Sequence, residues 1–171
     1  MCNSYFKESN IEEKIEKFKN KELILEKLLR SKAYKYSDVI NINERKRKTF
    51  LGLNDSCGLY HFFYVENNIK YSLYLGKGAF GDGDDWCLYK RIIQHFQPSQ
   101  PNTIHGKVKK KLNLSDNIEP INLIKQKDIY LQFIEIYNKS ENMNWSDIDD
   151  EIMMYEKFCI EVLNPAFTDR S

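Results

Sequence analysis

Glu156 is a carboxylate set among apolar neighbours. Ile152 and Met153 lie four and three residues before it, and Cys159 and Ile160 three and four after. On a helix those positions share its face, so the acid sits in an apolar patch and is costly unless a cation or donor meets it. Two readings follow. The carboxylate completes a buried salt bridge, with Arg91 as a partner, or it ligates a metal such as Mg2+, held by one or two carboxylates together with waters and phosphate oxygens. Glu161, with Lys157 four residues before it, reads as surface.

Arg91 and His95 are four residues apart and therefore on one side of a helix whose buried side is Trp86, Ile92, Ile93 and Phe96. Such a pair is ordinarily solvated. Beside a tyrosine-bearing sheet it makes an anion clamp, because guanidinium matches phosphate bidentately. Tyr60 and Tyr74 supply such a sheet if GLYHFFYVENNIKYSLYLG, residues 58–76, folds as an antiparallel hairpin. A three-residue turn, Glu66 to Asn68, pairs Val65 with Ile69 and sets Tyr60 opposite Tyr74. One face then carries Leu59, Phe63, Val65, Ile69, Leu73 and Leu75, with His61 and Tyr71; the other carries Tyr60, Phe62, Tyr64, Lys70, Ser72 and Tyr74. A two-residue turn slips the register and parts the two tyrosines. Gly76-Lys77-Gly78-Ala79-Phe80-Gly81 matches GxGxxG, but a dinucleotide site needs a helix directly after the glycines and a parallel strand beyond, which a tight hairpin denies.

The elements that must position these groups are legible from periodicity. Residues 10–30 repeat Ile11, Ile15, Phe18, Leu25, Leu28 and Leu29 at helical spacing, with Ser9 or Asn10 as cap. A polar stretch, 31–56, includes Arg45, Lys46, Arg47 and Lys48, a solvated face or a phosphate-contacting arm. After the hairpin come a Gly/Asp loop from Gly76 to Asp85 and a helix from Asp85 to Phe96, capped by Asp84 or Asp85. Pro98 and Pro101 open a less regular segment with a second basic cluster, Lys107, Lys109, Lys110 and Lys111. Residues 128–137 read as a third strand and 146–162 as a final helix stopped by Asn164-Pro165. The expected fold is α+β: a small antiparallel three-stranded sheet flanked by helices (57–171), with a helical N-terminal extension (1–56).

Composition bounds the partners. The 171 residues carry 26 Lys+Arg against 25 Asp+Glu, with 42% apolar and 30% charged, which excludes a disordered tail or a membrane protein. No apolar run approaches the ~18 residues of a membrane span and the N-terminus has no signal core, so a cytoplasmic protein is expected. Cys2, Cys57, Cys87 and Cys159 form no CxxC or Cys/His cluster, so no zinc module is expected. The net charge of +1 hides separation: bases gather at 45–48 and 107–111, acids at 82–85 and 147–151. Such a chain can grip DNA along one surface.

Taken together these positions resemble the GIY-YIG nuclease family. Gly58-Leu59-Tyr60 is similar to its first signature tripeptide and Tyr74-Leu75-Gly76 to its second, with leucine for isoleucine in both. Arg91 and His95 resemble the arginine and histidine of its first core helix, Glu156 its metal-binding glutamate and Asn164 a C-terminal asparagine of many members. A chain this size without a zinc module or partner domains is most similar to the family's small type II restriction endonucleases, bacterial intracellular enzymes. The resemblance implies a GIY-YIG core and hydrolysis of a DNA phosphodiester with one divalent metal, Mg2+ or a substituting Mn2+. Glu156 would hold the metal. Tyr60 would orient or deprotonate the water with Lys77 as its cation, Arg91, Tyr74 and His95 would neutralise phosphoryl charge, and Asn164 would position its neighbours. It further implies double-stranded DNA at a short palindrome and a homodimer, with the N-terminal helix as dimer or DNA-contact element. A structure-specific repair or phage-type nicking nuclease, and an inactive DNA-binding module, are the competing readings.

Overall fold

The structure is a computed structural model and describes residues 10–79, 87–97, 99–100, 102–139 and 144–167. Of the expected loop from Gly76 to Asp85, residues 80–85 with both candidate caps lie outside the described residues, as do Trp86, Pro98 and Pro101.

Helix α1, Ile11–Arg30, begins where the Asn10 side chain accepts from the N–H groups of Glu12 and Glu13 at 3.1 and 3.4 Å. Acids in its first turn and Lys27 and Arg30 in its last complement the helix dipole. Its C-terminal half packs inward through Leu28, with Ile24 and Leu25 beside it. Ile11, Ile15 and Phe18 stay half or more exposed, although Phe18 meets Phe158 edge-on at 6.0 Å.

The polar stretch after α1 is more structured than its composition suggests: β1 (Tyr34–Lys35), α2 (Tyr36–Asn41) and α3 (Glu44–Leu51). Then come β2 (Ser56–Glu66), β3 (Ile69–Gly78), α4 (Leu88–Gln94), α5 (Ile104–Lys111), α6 (Pro120–Gln126), β4 (Ile129–Asn138) and α7 (Trp145–Leu163). The fold is α+β, but the sheet has four antiparallel strands rather than the expected three, in the order β1-β4-β2-β3. The added strand is two residues long, too short for an alternation signal. The segment read as irregular holds α5 and α6, whose seven or eight residues bury only two or three side chains each.

Helices cover the sheet on both sides. Tyr36, Tyr60, Phe62, Tyr74, Leu88, Ile92, Phe96 and Ile104 belong to one core, Leu28, Cys57, Leu59, Leu75, Ile152 and Cys159 to the other. Residues 11–56 contribute Leu28 and Tyr36 to these cores and β1 to the sheet. Cys57, Cys87 and Cys159 are buried and not joined in disulfides.

The hairpin register differs from expectation. Glu66 pairs with Ile69 and Val65 with Lys70, a two-residue turn in which Asn67 and Asn68 take φ 51° and 62°. Two successive left-handed residues match the strand twist, and asparagine tolerates that region. By itself this turn would have parted the tyrosines. A bulge restores them: Phe62 pairs with Tyr74 but Phe63 with Ser72, so Leu73 is an extra residue in β3. Tyr60 therefore pairs with Gly76, not Tyr74, and the two tyrosines still share a face, ring centroids 6.0 Å apart. The segment after α7 supports the bulge, with Phe167 N–H donating to the Leu73 carbonyl at 2.7 Å and Ala166 N–H to Ser72 at 3.2 Å.

Candidate active site at the edge of the sheet

β3 is an edge strand, and α4 and α7 reach it from opposite faces of the sheet. Tyr60, Tyr74 and Gly76 lie on the α4 face by strand alternation, while Leu75 and Lys77 lie on the α7 face. A Cβ on Gly76 would run into the Tyr60 phenol, and one on Gly78 into the backbone of Leu88. Close packing accounts for both glycines of the GxG element, with no phosphate needed.

On the α4 face Tyr60 is fully buried and Tyr74 nearly so. His95, the residue after α4, is also fully buried, its ring centroid 5.0 Å from that of Tyr60 and 5.1 Å from that of Tyr74. The N–H of Ile104, at the start of α5, donates to His95 Nδ1 at 2.9 Å. The neutral ring then carries its hydrogen on Nε2, which donates to the Tyr60 phenol oxygen at 2.9 Å. Burial, then Arg91 and His105, hold the His95 pKa well below the usual imidazole range. The ring stays neutral and acts as a donor.

The His95 carbonyl accepts in turn from Tyr36 at 3.1 Å and meets His105 Nε2 at 2.9 Å, which anchors the end of α4 to α2 and α5. Sequence reasoning missed Tyr36, Ile104 and His105. All three act through or upon backbone atoms, which no side-chain pattern announces.

Arg91 joins the cluster from the last turn of α4. Its guanidinium donates to Gln94 Oε1 at 2.9 Å and hydrogen-bonds the oxygens of Tyr60 and Tyr74. Burial opposes its charge, but the two phenol oxygens outweigh that and hold its pKa above the usual arginine range. Burial raises the Tyr60 phenol well above its ordinary value, helped by Tyr74 and Glu156 and opposed by Arg91. The cation at Tyr60 is thus Arg91. The expectation of Lys77 in that role is corrected by strand parity, because Lys77 projects to the other face.

On the α7 face Lys77 forms an ion pair with Asp149. Its backbone N–H, on the free side of the edge strand, donates to the Glu156 carboxylate. Burial raises the Glu156 pKa, against the pull of the Lys77 ammonium, that N–H and Arg91, and with a push from Asp149. The Glu156 charge also acts through space on Tyr60, raising the phenol. Asp149 was not singled out in the sequence, though its place seven residues before Glu156, two turns along one helix face, was a usable signal. Asn164 is the C-cap of α7 at φ 46°, its N–H donating to Ile160 at 2.9 Å.

The donor chemistry here suits a hard cation: a half-buried carboxylate at a strand edge, with coordination to be completed by water and phosphate oxygens. No group of three or more His, Cys, Asp or Glu that could hold a metal is found among the described residues, nor a described helix long and apolar enough to cross a membrane.

The basic clusters are placed unevenly. Arg45 and Lys46 are exposed on α3. Arg47 turns inward, its Nε and Nη2 donating to the carbonyls of Ile42 and Ile40 at 3.1 and 3.0 Å with Phe96 beneath it, so it departs from the expected phosphate-contacting arm. Lys48 pairs with Asp55 and lies over the Tyr89 ring. On α5, Lys110 and Lys111 are exposed, Lys107 is half-buried and Lys109 pairs with Asp116. No family model, curated protein or solved structure matches the chain.

Proposed function

We propose that the chain is a metal-dependent DNA endonuclease of the GIY-YIG type, acting on double-stranded DNA as a site-specific type II enzyme. The observation that supports this most is the convergence of Tyr60, Tyr74 and Arg91 from one face of the sheet with Glu156 from the other, at the edge of β3.

In this reading Glu156 holds Mg2+, which when bound supplies Lewis-acid polarisation of the scissile phosphate. Arg91, already charged and oriented by two phenol oxygens, clamps the phosphoryl oxygens as charge develops on them. Tyr60 orients the attacking water. His95 fills one side of its oxygen, so the Tyr60 hydroxyl hydrogen must point away from the imidazole. A phenol held this far above its ordinary pKa serves as a hydrogen-bonding guide before it serves as a base. Asn164 fixes the end of α7 and the segment that supports the Leu73 bulge beside Tyr74.

One such site cuts one strand, so a double-strand break requires two copies. The exposed Ile11, Ile15 and Phe18 of α1 support a homodimer in which each copy reads half of a palindrome. Arg45, Lys46, Lys110 and Lys111 are the phosphate-contacting candidates that face solvent.

The test is incubation of supercoiled plasmid with the purified chain and Mg2+. Discrete linear fragments are expected from wild type and none from Glu156→Gln at unchanged fold. Full cleavage by folded Glu156→Gln overturns the assignment. Nicking without linear product points instead to a structure-specific or nicking nuclease.

A further inference from the structure

We propose that Asp149 is a positioning residue that sets the metal affinity of Glu156, by drawing the Lys77 ammonium away from its carboxylate. This rests on the reading of Glu156 as the metal-holding group.

Lys77 is tied to Glu156 twice. Its main-chain N–H donates to the carboxylate, and its ammonium is the strongest cationic influence on that group. A side chain whose own backbone is anchored to Glu156 cannot leave the neighbourhood; only the direction of its ammonium is free. Asp149 decides that direction, since Lys77 Nζ pairs with its carboxylate. The pair is largely removed from solvent, with side chains 23% and 35% exposed, so its geometry is more closely held than that of a surface bridge.

Charge then orders the outcomes. With Asp149 ionised, the trio of Lys77, Asp149 and Glu156 carries one net negative charge, and the ammonium is satisfied without using Glu156. Without the Asp149 charge the same ammonium turns to Glu156, the other carboxylate it acts on among the described residues, and a divalent ion must displace it. Lys77 thereby acts as a resident competitor that Asp149 keeps to one side.

The discriminating measurement is Mn2+ binding to the full chain without DNA, read from the electron paramagnetic resonance signal of the free ion. Asp149→Asn should weaken binding about tenfold, Lys77→Met should tighten it several-fold, and Asp149→Glu should restore wild-type affinity. A mere through-space effect of the Asp149 charge would be the same whether or not Lys77 is present. The expected result is instead that Asp149→Asn costs less than about twofold in the Lys77→Met background. Equal losses in both backgrounds overturn the proposal. So does unchanged affinity in Lys77→Met, which remains decisive even where Asp149→Asn fails to fold. Glu156→Gln separates the two claims: binding lost there but unmoved by Lys77→Met overturns this proposal alone, whereas binding absent in wild type or retained in Glu156→Gln overturns the metal reading as well.

Discussion

His95 donates to Tyr60. The relationship runs in that direction because the N–H of Ile104 already occupies Nδ1, leaving the hydrogen on Nε2, 2.9 Å from the phenol oxygen. Replacing His95 with Phe removes both contacts and strands two buried polar groups, the Ile104 N–H and one lone pair of Tyr60. Each unmet group costs about 1–3 kcal/mol, so a loss of several kcal/mol is expected in urea unfolding. His95→Gln can restore one contact and should lose about half as much.

Acid should destabilise the protein earlier than carboxylates alone would require. Burial lowers the pKa of all three histidines: His61, with Lys70 adding to the effect, to about 4, His95 well below the usual imidazole range and His105 below it. In the unfolded chain histidine protonates near pH ~6.5, so below that pH the unfolded state binds more protons than the folded one. Stability is therefore full above pH ~6.5 and is lost as pH falls, by up to about 1.4 kcal/mol per pH unit for each histidine. Glu156 runs the other way, because its raised pKa makes the folded state take up its proton first. Urea midpoints between pH 7.5 and 5 should fall, and His61→Gln should flatten the slope. A flat profile down to pH 5 contradicts the neutral buried histidines.

Much of this fold was legible because α1, β2, β3, β4 and α7 carry strong periodicity over 10 to 20 residues. The hairpin register was not. With both faces of the sheet covered, apolar residues fall on each side and alternation loses its power to choose a turn. The bulge at Leu73 then hid the error, since it returned Tyr60 and Tyr74 to one face by a different route. Glu156 stood out as a carboxylate in an apolar setting, and Arg91 and His95 as a pair four residues apart on one side of a helix. The direction of Lys77 was not available, because the sequence reading placed it in the loop from Gly76 to Asp85 rather than in β3, where alternation from Tyr74 decides its face. Helix α3 was hidden for a related reason: it reads as ERKRKTFL and buries only Arg47 and Leu51.

Arg47 and its neighbours separate packing from DNA contact. Arg47→Ala leaves the carbonyls of Ile40 and Ile42 unmet and uncovers Phe96, so a loss of about 2 kcal/mol in stability is expected. The logarithmic salt slope of DNA binding should not change in the folded variant. Replacing exposed Arg45 and Lys46 together with Ala should leave unfolding within about 0.5 kcal/mol of wild type and reduce that slope by about 2. Fluorescence anisotropy of a labelled duplex across a salt series measures both.

Gly76 carries the sharpest test of the packing around Tyr60. Its backbone pairs with Tyr60 across the hairpin, and a methyl group added there meets the phenol ring and oxygen of that same residue. Tyr60 has nowhere to retreat, being fully buried against Phe62, Tyr74 and His95. Gly76→Ala must therefore displace the ring or bend the edge strand, at a cost of about 1–3 kcal/mol for overpacking. Displacement also breaks the His95 to Tyr60 hydrogen bond, so plasmid cleavage should fall at least about a hundredfold if Tyr60 guides the water. Pairing the substitution with Tyr60→Phe distinguishes the two losses. The smaller ring edge should recover part of the stability of Gly76→Ala while leaving cleavage low, because room is regained but the hydroxyl is not. Recovery of cleavage in the double variant would show that the Tyr60 hydroxyl takes no part in the reaction.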